Sequence, residues 1–160
     1  MEPEPQAGAL AATARPVVID TNIVLDLLVF ADVAVQPLKP RLASGALRWI
    51  AVPAMRVELE CVLGYPQIAP RLAYYRLSAA QVLQAFDAQT HTVAPAPRAS
   101  AVCKDPDDQP FIDLAVQHGA LLLSKDRAVL SLRKRLLALG VLAAPALADI
   151  REYSSGEWLT

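Results

Sequence analysis

The sequence predicts an α/β fold in which a mainly parallel sheet is covered by helices on both faces. Short apolar runs rich in Val, Ile and Leu alternate with stretches of helical period, the pattern of consecutive β-α units. The chain has 160 residues, 54% of them hydrophobic, which suits one well-filled core. We expect one domain over residues 16–144, a disordered leader over 1–15 and a C-terminal tail over 145–160.

The first half of the chain supplies two strands and the helices between and after them. A buried strand over 16–20 precedes an apolar helix over 22–31 and a proline-interrupted helical stretch over 33–44. A second strand covers 48–52. Pro53 then begins a helix, because the first helical turn tolerates proline.

The second half repeats the alternation of strand and helix. Ser78 is a suitable N-cap for a helix that continues to Gln89. Further elements are a short strand over 91–94, a Pro/Ala-rich loop over 95–103, a helix over 108–118, a strand over 120–124, a helix over 127–139 and a final strand at 141–142. Glycine ends two of these helices, at Gly119 and Gly140.

Composition and spacing argue against several functional classes. The first residues carry acids where a signal peptide needs bases, and no apolar run reaches the roughly 18 residues of a membrane span. We therefore expect a cytoplasmic protein that does not insert in a membrane. Cys61 and Cys103 lack the spacing of a metal knuckle or redox pair, and His91 and His118 are equally isolated.

Two aspartates follow predicted strands directly. Asp20 comes after Val17, Val18 and Ile19, and Asp126 stands just beyond the strand that ends near Ser124. Carboxyl ends of parallel strands meet at one edge of the sheet, and a buried carboxylate is costly unless a cation or hydrogen bonds compensate it. Asp20 could instead cap the following helix, and Ser124 could bind a carboxylate or simply end its strand.

Three further acids are candidates for a place at the same edge of the sheet. On the helix after Pro53, Glu58 falls on the shoulder of the apolar stripe, whereas Glu60 points away from it. Asp26 lies one turn after Asn22, and its periodicity favours a peripheral charge.

The Asp-rich loop offers three candidates. Asp108 begins a packed helix, whose N-terminus is expected to keep its carboxylate ionised. Asp105 precedes Pro106, which biases it to an extended conformation, and it could approach a metal or hold a water near one. Asp107 is then expected to be a cap or a solvent-facing charge.

The net charge of −1 conceals an uneven distribution. If five acids form one site, the rest of the chain is net positive. Several of the basic residues follow the last acid, namely Arg127, Arg133, Lys134 and Arg135. This distribution permits phosphate binding, and a solvated helix face explains each basic residue equally well.

Four segments of the sequence carry a family resemblance. VVIDTN, VELECVL, DPDDQPFIDLAV and LLLSKDRAVL occur in the order and spacing of a PIN domain, between about Val17 and Leu142. The chain resembles in particular the bacterial toxins of VapC-like toxin–antitoxin systems.

The resemblance implies a Rossmann-like α/β/α sandwich that cleaves RNA with Mg²⁺ or Mn²⁺. It implies a metal-binding and catalytic set, Asp20, Glu58, Asp108 and Asp126, with Asn22 and Ser124 in support. Asp105 joins the supporting residues because of its place in the Asp-rich loop. Hard divalent cations prefer such oxygen ligands. A cognate antitoxin and a homodimer are also expected.

Two other functions compete with the ribonuclease. A degenerate PIN module would bind RNA or protein without cutting, but its usual mark is a missing acid, and none is missing here. A haloacid-dehalogenase-type phosphatase requires an Asp two residues after the first, where this chain has Asn22.

Overall fold

A five-stranded parallel sheet forms the centre of the protein. The computed structural model describes residues 14–150; the predicted leader, except for its last two residues, and the tail from residue 151 onward lie outside them. The strands are β1 (Arg15–Ile19), β2 (Leu47–Ala51), β3 (Thr90–Thr92), β4 (Leu121–Leu123) and β5 (Leu142–Ala144). Their order is β3-β2-β1-β4-β5, and every neighbouring pair is parallel. This confirms the predicted α/β fold.

The strand order determines where the helices lie. The chain moves from β1 to β2 and β3 in one direction, and then returns to β4 and β5 on the other side of β1. Because right-handed crossovers are the rule, the two sets of connecting helices fall on opposite faces of the sheet. The result is a three-layer α/β/α sandwich.

Eight α-helices occur between residues 14 and 150. They are α1 (Thr21–Leu25), α2 (Leu38–Ser44), α3 (Pro53–Leu63), α4 (Ala69–Tyr74), α5 (Ala79–Gln89), α6 (Gln109–His118), α7 (Arg127–Leu130) and α8 (Arg133–Ala138). No single helix in this range is long and apolar enough to cross a membrane, although the bent pair Thr21–Phe30 and Val33–Ser44 meets the length and composition criteria together.

The core is continuous on both faces of the central strand. Val17 and Val18 of β1 have no exposed surface, because helices cover the sheet on both sides. On β2, the Trp49 ring packs edge-on against Phe86 of α5, with 5.2 Å between centroids. The beginning of the predicted tail belongs to this core, since Ile150 is only 3% exposed.

Two predicted helices differ from those observed. The helix expected over 22–31 begins as α1 but widens into a π-helical segment, Asp26–Phe30; such turns are frequent at functional sites. The helix expected over 127–139 is divided into α7 and α8. At the break, the Ser131 hydroxyl donates to the Ala128 carbonyl at 2.9 Å, which offers the backbone an alternative partner.

The Pro/Ala-rich loop is attached to the start of α6 by one buried side chain. Gln109 donates from Nε2 to the Ala101 carbonyl at 2.9 Å and accepts at Oε1 from the Cys103 amide at 2.7 Å. Satisfied buried amides of this kind rigidify the segment that they join. The loop therefore delivers the Asp-rich segment to the sheet edge in a fixed position.

Candidate active site

The sheet contains one crevice where its strand order reverses, at the carboxyl ends of β1 and β4. Connections leave these adjacent strands in opposite directions, which is where open α/β sheets bind ligands. Asp20 follows β1 and donates its amide to the Leu123 carbonyl of β4 at 2.9 Å. Asp126 lies three residues beyond the end of β4. The parallel register therefore brings the two predicted strand-end aspartates together.

Asp108 completes a cluster of three carboxylates in this crevice. A 3₁₀ turn, Pro106–Asp108, runs into α6 and places Asp108 beside the two strand ends. Carboxylate oxygens of Asp20, Asp108 and Asp126, one from each, all lie within 4.8 Å of one another. Asp20 and Asp108 are only 5% and 7% exposed. Three oxygens at this spacing can ligate one divalent cation.

Hydrogen bonds hold two of the three carboxylates in place. The Ser124 hydroxyl donates to Oδ2 of Asp20 at 2.6 Å and accepts from the Asp126 amide at 3.1 Å. Oδ1 of Asp126 accepts from the Ala128 amide at 2.8 Å and caps α7. Since one oxygen of each carboxylate is engaged by the protein, the pair is oriented before any ligand binds.

Burial and mutual repulsion raise the pKa values of the clustered acids. Burial, contact with Asp126 and the negative charge of Asp20 together raise the pKa of Asp108 to about 8. Burial also raises the pKa of Asp20, although the Ser124 hydroxyl opposes this shift. The pKa of Glu58 is raised by burial and by the Asp20 charge, and a hydrogen bond with Thr21 opposes the rise. The cluster therefore favours binding of positive charge.

One buried carboxylate oxygen of the cluster is suited to bind a cation directly. Oδ2 of Asp108 is buried, and within the described part of the chain it has no hydrogen-bond partner. Leaving such an oxygen unpaired is costly, and a hard divalent cation would compensate it. The donor set consists of carboxylates alone, which suits Mg²⁺ or Mn²⁺ better than a soft metal.

The remaining predicted residues line the same cleft, which has a volume of about 390 Å³. Its walls include Asn22, Glu58, Asp105 and Asp107. Glu58 is half-buried, but it is not part of the cluster within 4.8 Å. A direct metal contact from Glu58, and the supporting roles of Asn22 and Asp105, stay predictions.

One expectation about the Asp-rich loop is wrong, and another holds in one of its two alternatives. The α6 N-terminus does not keep the pKa of Asp108 low, because burial and the neighbouring carboxylates of Asp126, Asp20 and Asp105 raise it. The cap of the preceding 3₁₀ turn is Asp105, whose Oδ1 accepts from the Asp107 amide at 3.0 Å. Asp107 is exposed, which agrees with the expectation that it is a solvent-facing charge and not with the expectation that it is a cap.

An ion pair beside the cluster was not predicted from the sequence. Asp26, expected to be peripheral, is 7% exposed, and its Oδ2 lies 2.5 Å from Nζ of Lys125. Asp26 is the first residue of the π-helical segment. The position of Lys125, directly before Asp126 at the end of β4, is the signal that could have identified it.

The family comparison agrees with this geometry. The family model described as PIN domain matches residues 16–128, which include all three clustered aspartates. Comparison with curated proteins finds no match. PIN domains are generally nucleases that bind divalent metals.

Proposed function

Because the chain belongs to the PIN domain family, we propose that it is an endoribonuclease dependent on Mg²⁺ or Mn²⁺. The observation that carries the proposal is the cluster of Asp20, Asp108 and Asp126 at the sheet crevice, with one buried Asp108 oxygen unpartnered. When bound, a divalent cation activates water for attack on a phosphodiester and neutralises charge in the transition state.

Residues of this chain hold the carboxylates of the cluster in position. Ser124 holds Asp20, and the first turn of α7 holds Asp126, so both carboxylates keep their positions. Asn22 and Glu58 lie along the cleft wall, where they can contact the substrate or its attacking water. Burial at the base of the cleft limits competing solvent and strengthens these electrostatic interactions.

Neutralising Asp20 tests the proposal. With RNA of mixed sequence and millimolar Mn²⁺, we expect the wild type to cleave and Asp20→Asn to lose activity by more than about 100-fold, a larger loss than removal of an outer-shell partner causes. Glu60→Gln removes an exposed acid from α3 and is expected to keep wild-type activity. RNA binding without cleavage by the wild type would favour the degenerate module.

Because Ser124 acts through Asp20 and Asp126, its removal is expected to reduce cleavage less than the loss of Asp20 does. Ser124→Ala removes the hydroxyl that connects Asp20 with the Asp126 backbone, so cleavage is expected to fall about 10- to 100-fold. The matched control is Ser131→Ala, which removes an exposed hydroxyl from the α7–α8 break. Equal cleavage rates for the two variants would contradict a role of Ser124 in the site.

We further propose that the nuclease is the cytoplasmic toxin of a toxin–antitoxin pair and acts as a homodimer. The resemblance to VapC-like toxins supports the pairing, and exposed apolar side chains such as Val57 and Leu137 are available for contact. An adjacent reading frame for a small DNA-binding protein tests the pairing. Light scattering at micromolar concentration tests the dimer, and a monomer would contradict it.

A further inference from the structure

Residues 99–105 cross the start of α6 as an extended segment that belongs to none of the five strands. Its side chains alternate in burial. Ala99, Ala101 and Cys103 are buried, whereas the residues between them are exposed. This alternation is the period of an extended chain that packs one of its faces on a core. We call residues 99–105 the anchored loop.

Side chains of α6 take the place of a neighbouring strand for the anchored loop. The Ala101 carbonyl and the Cys103 amide are both hydrogen-bonded to the Gln109 side chain, at 2.9 and 2.7 Å. The Ala99 amide donates to Oδ1 of Asp113 at 2.8 Å. Because backbone groups that leave water need partners, these three bonds allow the loop to lie against α6.

Gln109 and Asp113 also hold each other. They lie one turn apart on α6, and Nε2 of Gln109 donates to Oδ1 of Asp113 at 2.8 Å. Oδ2 of Asp113 lies 4.0 Å from Nε of Arg98, whose side chain is 69% exposed, and an exposed ion pair of this kind contributes little. The accepting oxygen of Asp113, rather than its charge, therefore holds the loop.

The anchored loop ends at the residues that position Asp108. The Cys103 thiol is hydrogen-bonded to the Asp105 backbone. Asp105 in turn accepts from the Asp107 amide at 3.0 Å through its Oδ1, and from the Asp108 amide at 3.1 Å through its carbonyl. Gln109 directly follows Asp108. A displacement of the loop, or of the first turn of α6, therefore moves the Asp108 carboxylate.

The contact between the anchored loop and α6 is polar where apolar packing would suffice for stability alone. A buried amide is tolerated only when its hydrogen bonds are formed, and Gln109, which is 5% exposed, forms bonds through both of its donors and its acceptor. Hydrogen bonds define one orientation of the loop, and a metal site requires its ligands to be held closely in position. Such a network beside Asp108 suits the placement of a metal ligand.

We propose that Gln109 and Asp113 are positioning residues of the metal centre. By holding the anchored loop on α6, they keep the Asp108 carboxylate, and Asp105 in the cleft wall, where a divalent cation binds. Neither residue touches the metal or the substrate in this role. The inference rests on the proposed metal-dependent function and adds to it the contacts outside the cleft that set its metal affinity.

The Mn²⁺ dissociation constant of the full chain, measured by titration calorimetry, tests the inference without catalysis. Gln109→Leu removes the three hydrogen bonds of the amide and keeps most of its volume. We expect this variant to bind Mn²⁺ about tenfold more weakly, since groups that orient metal ligands have effects of at least this size. Asp113→Ala should also weaken binding, whereas Asp113→Asn keeps an accepting oxygen and is expected to bind as the wild type does.

Val82→Ala is the matched control for a loss of stability. Val82 is buried in α5 and does not line the acidic cleft, so its truncation lowers the melting temperature and should leave the Mn²⁺ affinity unchanged. Equal affinities of Gln109→Leu and Val82→Ala would overturn the inference, as would an Asp113→Asn variant as impaired as Asp113→Ala. If Gln109→Leu does not fold, the two Asp113 variants decide the result.

Hydrogen exchange in the metal-free protein measures the anchored loop itself. The Cys103 and Asp107 amides are expected to exchange faster in Gln109→Leu than in the wild type, because the bonds that hold the loop are lost, and unchanged exchange would overturn the inference. Cleavage by Gln109→Leu should recover at high Mn²⁺ concentration, since only the affinity is reduced. A wild type that binds no Mn²⁺ would contradict the proposed function itself, whereas wild-type affinity in Gln109→Leu would contradict this inference alone.

Discussion

Asp108→Asn is expected to reduce Mn²⁺-dependent RNA cleavage by more than about 100-fold, beyond the loss typical of an outer-shell residue. Asp108 is the acid with a buried, unpartnered oxygen, and it lies with Asp20 and Asp126 in the three-carboxylate cluster. Its neighbours in the loop are expected to matter less. Asp105→Asn should cause a partial loss, because Asp105 caps the turn that positions Asp108.

Asp107→Asn is the matched control for this comparison. Asp107 lines the cleft but is exposed and outside the cluster, so cleavage is expected to change little. Initial rates under saturating Mn²⁺ measure all three variants, and thermal melts verify that each is folded. An inactive Asp107 variant beside an active Asp108 variant would contradict the assignment.

Mn²⁺ is expected to raise the melting temperature of the wild type by about 5 to 10 °C. A ligand at 100 times its dissociation constant stabilises the folded state by about 2.7 kcal/mol, and each kcal/mol shifts the melting temperature of a chain of this size by about 2–4 °C. Differential scanning fluorimetry measures the shift. Asp108→Asn should respond less at the same Mn²⁺ concentration, and an unchanged wild-type melting temperature would count against a metal site.

The stability of the metal-free protein is expected to depend on pH because of Asp108. The folded pKa of Asp108 is about 8, well above the value near 4 of an unfolded aspartate. The folded state therefore holds this proton more tightly, and the resulting stabilisation is complete below about pH 4 and is lost as pH rises through about 8. The wild type should lose stability relative to Asp108→Asn from pH 5 to pH 9, while Mn²⁺ stabilisation should grow because metal displaces the proton.

Much of the site could be predicted because strand ends determine where side chains meet. Asp20 and Asp126 follow buried apolar runs, and a parallel sheet brings the carboxyl ends of such runs to one edge. The direction of Glu58 was equally predictable, since Met55 and Leu59 identify the buried stripe of α3. These arguments need only local periodicity.

The missed features depend on tertiary contacts that periodicity does not contain. The pairing of Asp26 with Lys125 joins the first helical segment to the residue after β4, and the raised pKa of Asp108 follows from its burial and from the Asp126 and Asp20 carboxylates of other elements. The ring contacts of Phe30 likewise join the π-helical segment with Arg71 of α4 and with Tyr75 at its end. Each of these contacts joins residues that are far apart in the sequence, so local patterns do not predict it.

Comparing metal occupancy with cleavage tests most directly whether the cluster is the catalytic metal centre. Mn²⁺ binding by titration calorimetry and initial RNA cleavage rates are measured over the same Mn²⁺ concentrations, for the wild type and Asp108→Asn. We expect half-maximal binding and half-maximal cleavage at the same concentration in the wild type, and a large loss of both in the variant. Cleavage that persists in excess chelator, or wild-type rates in Asp108→Asn, would contradict the account.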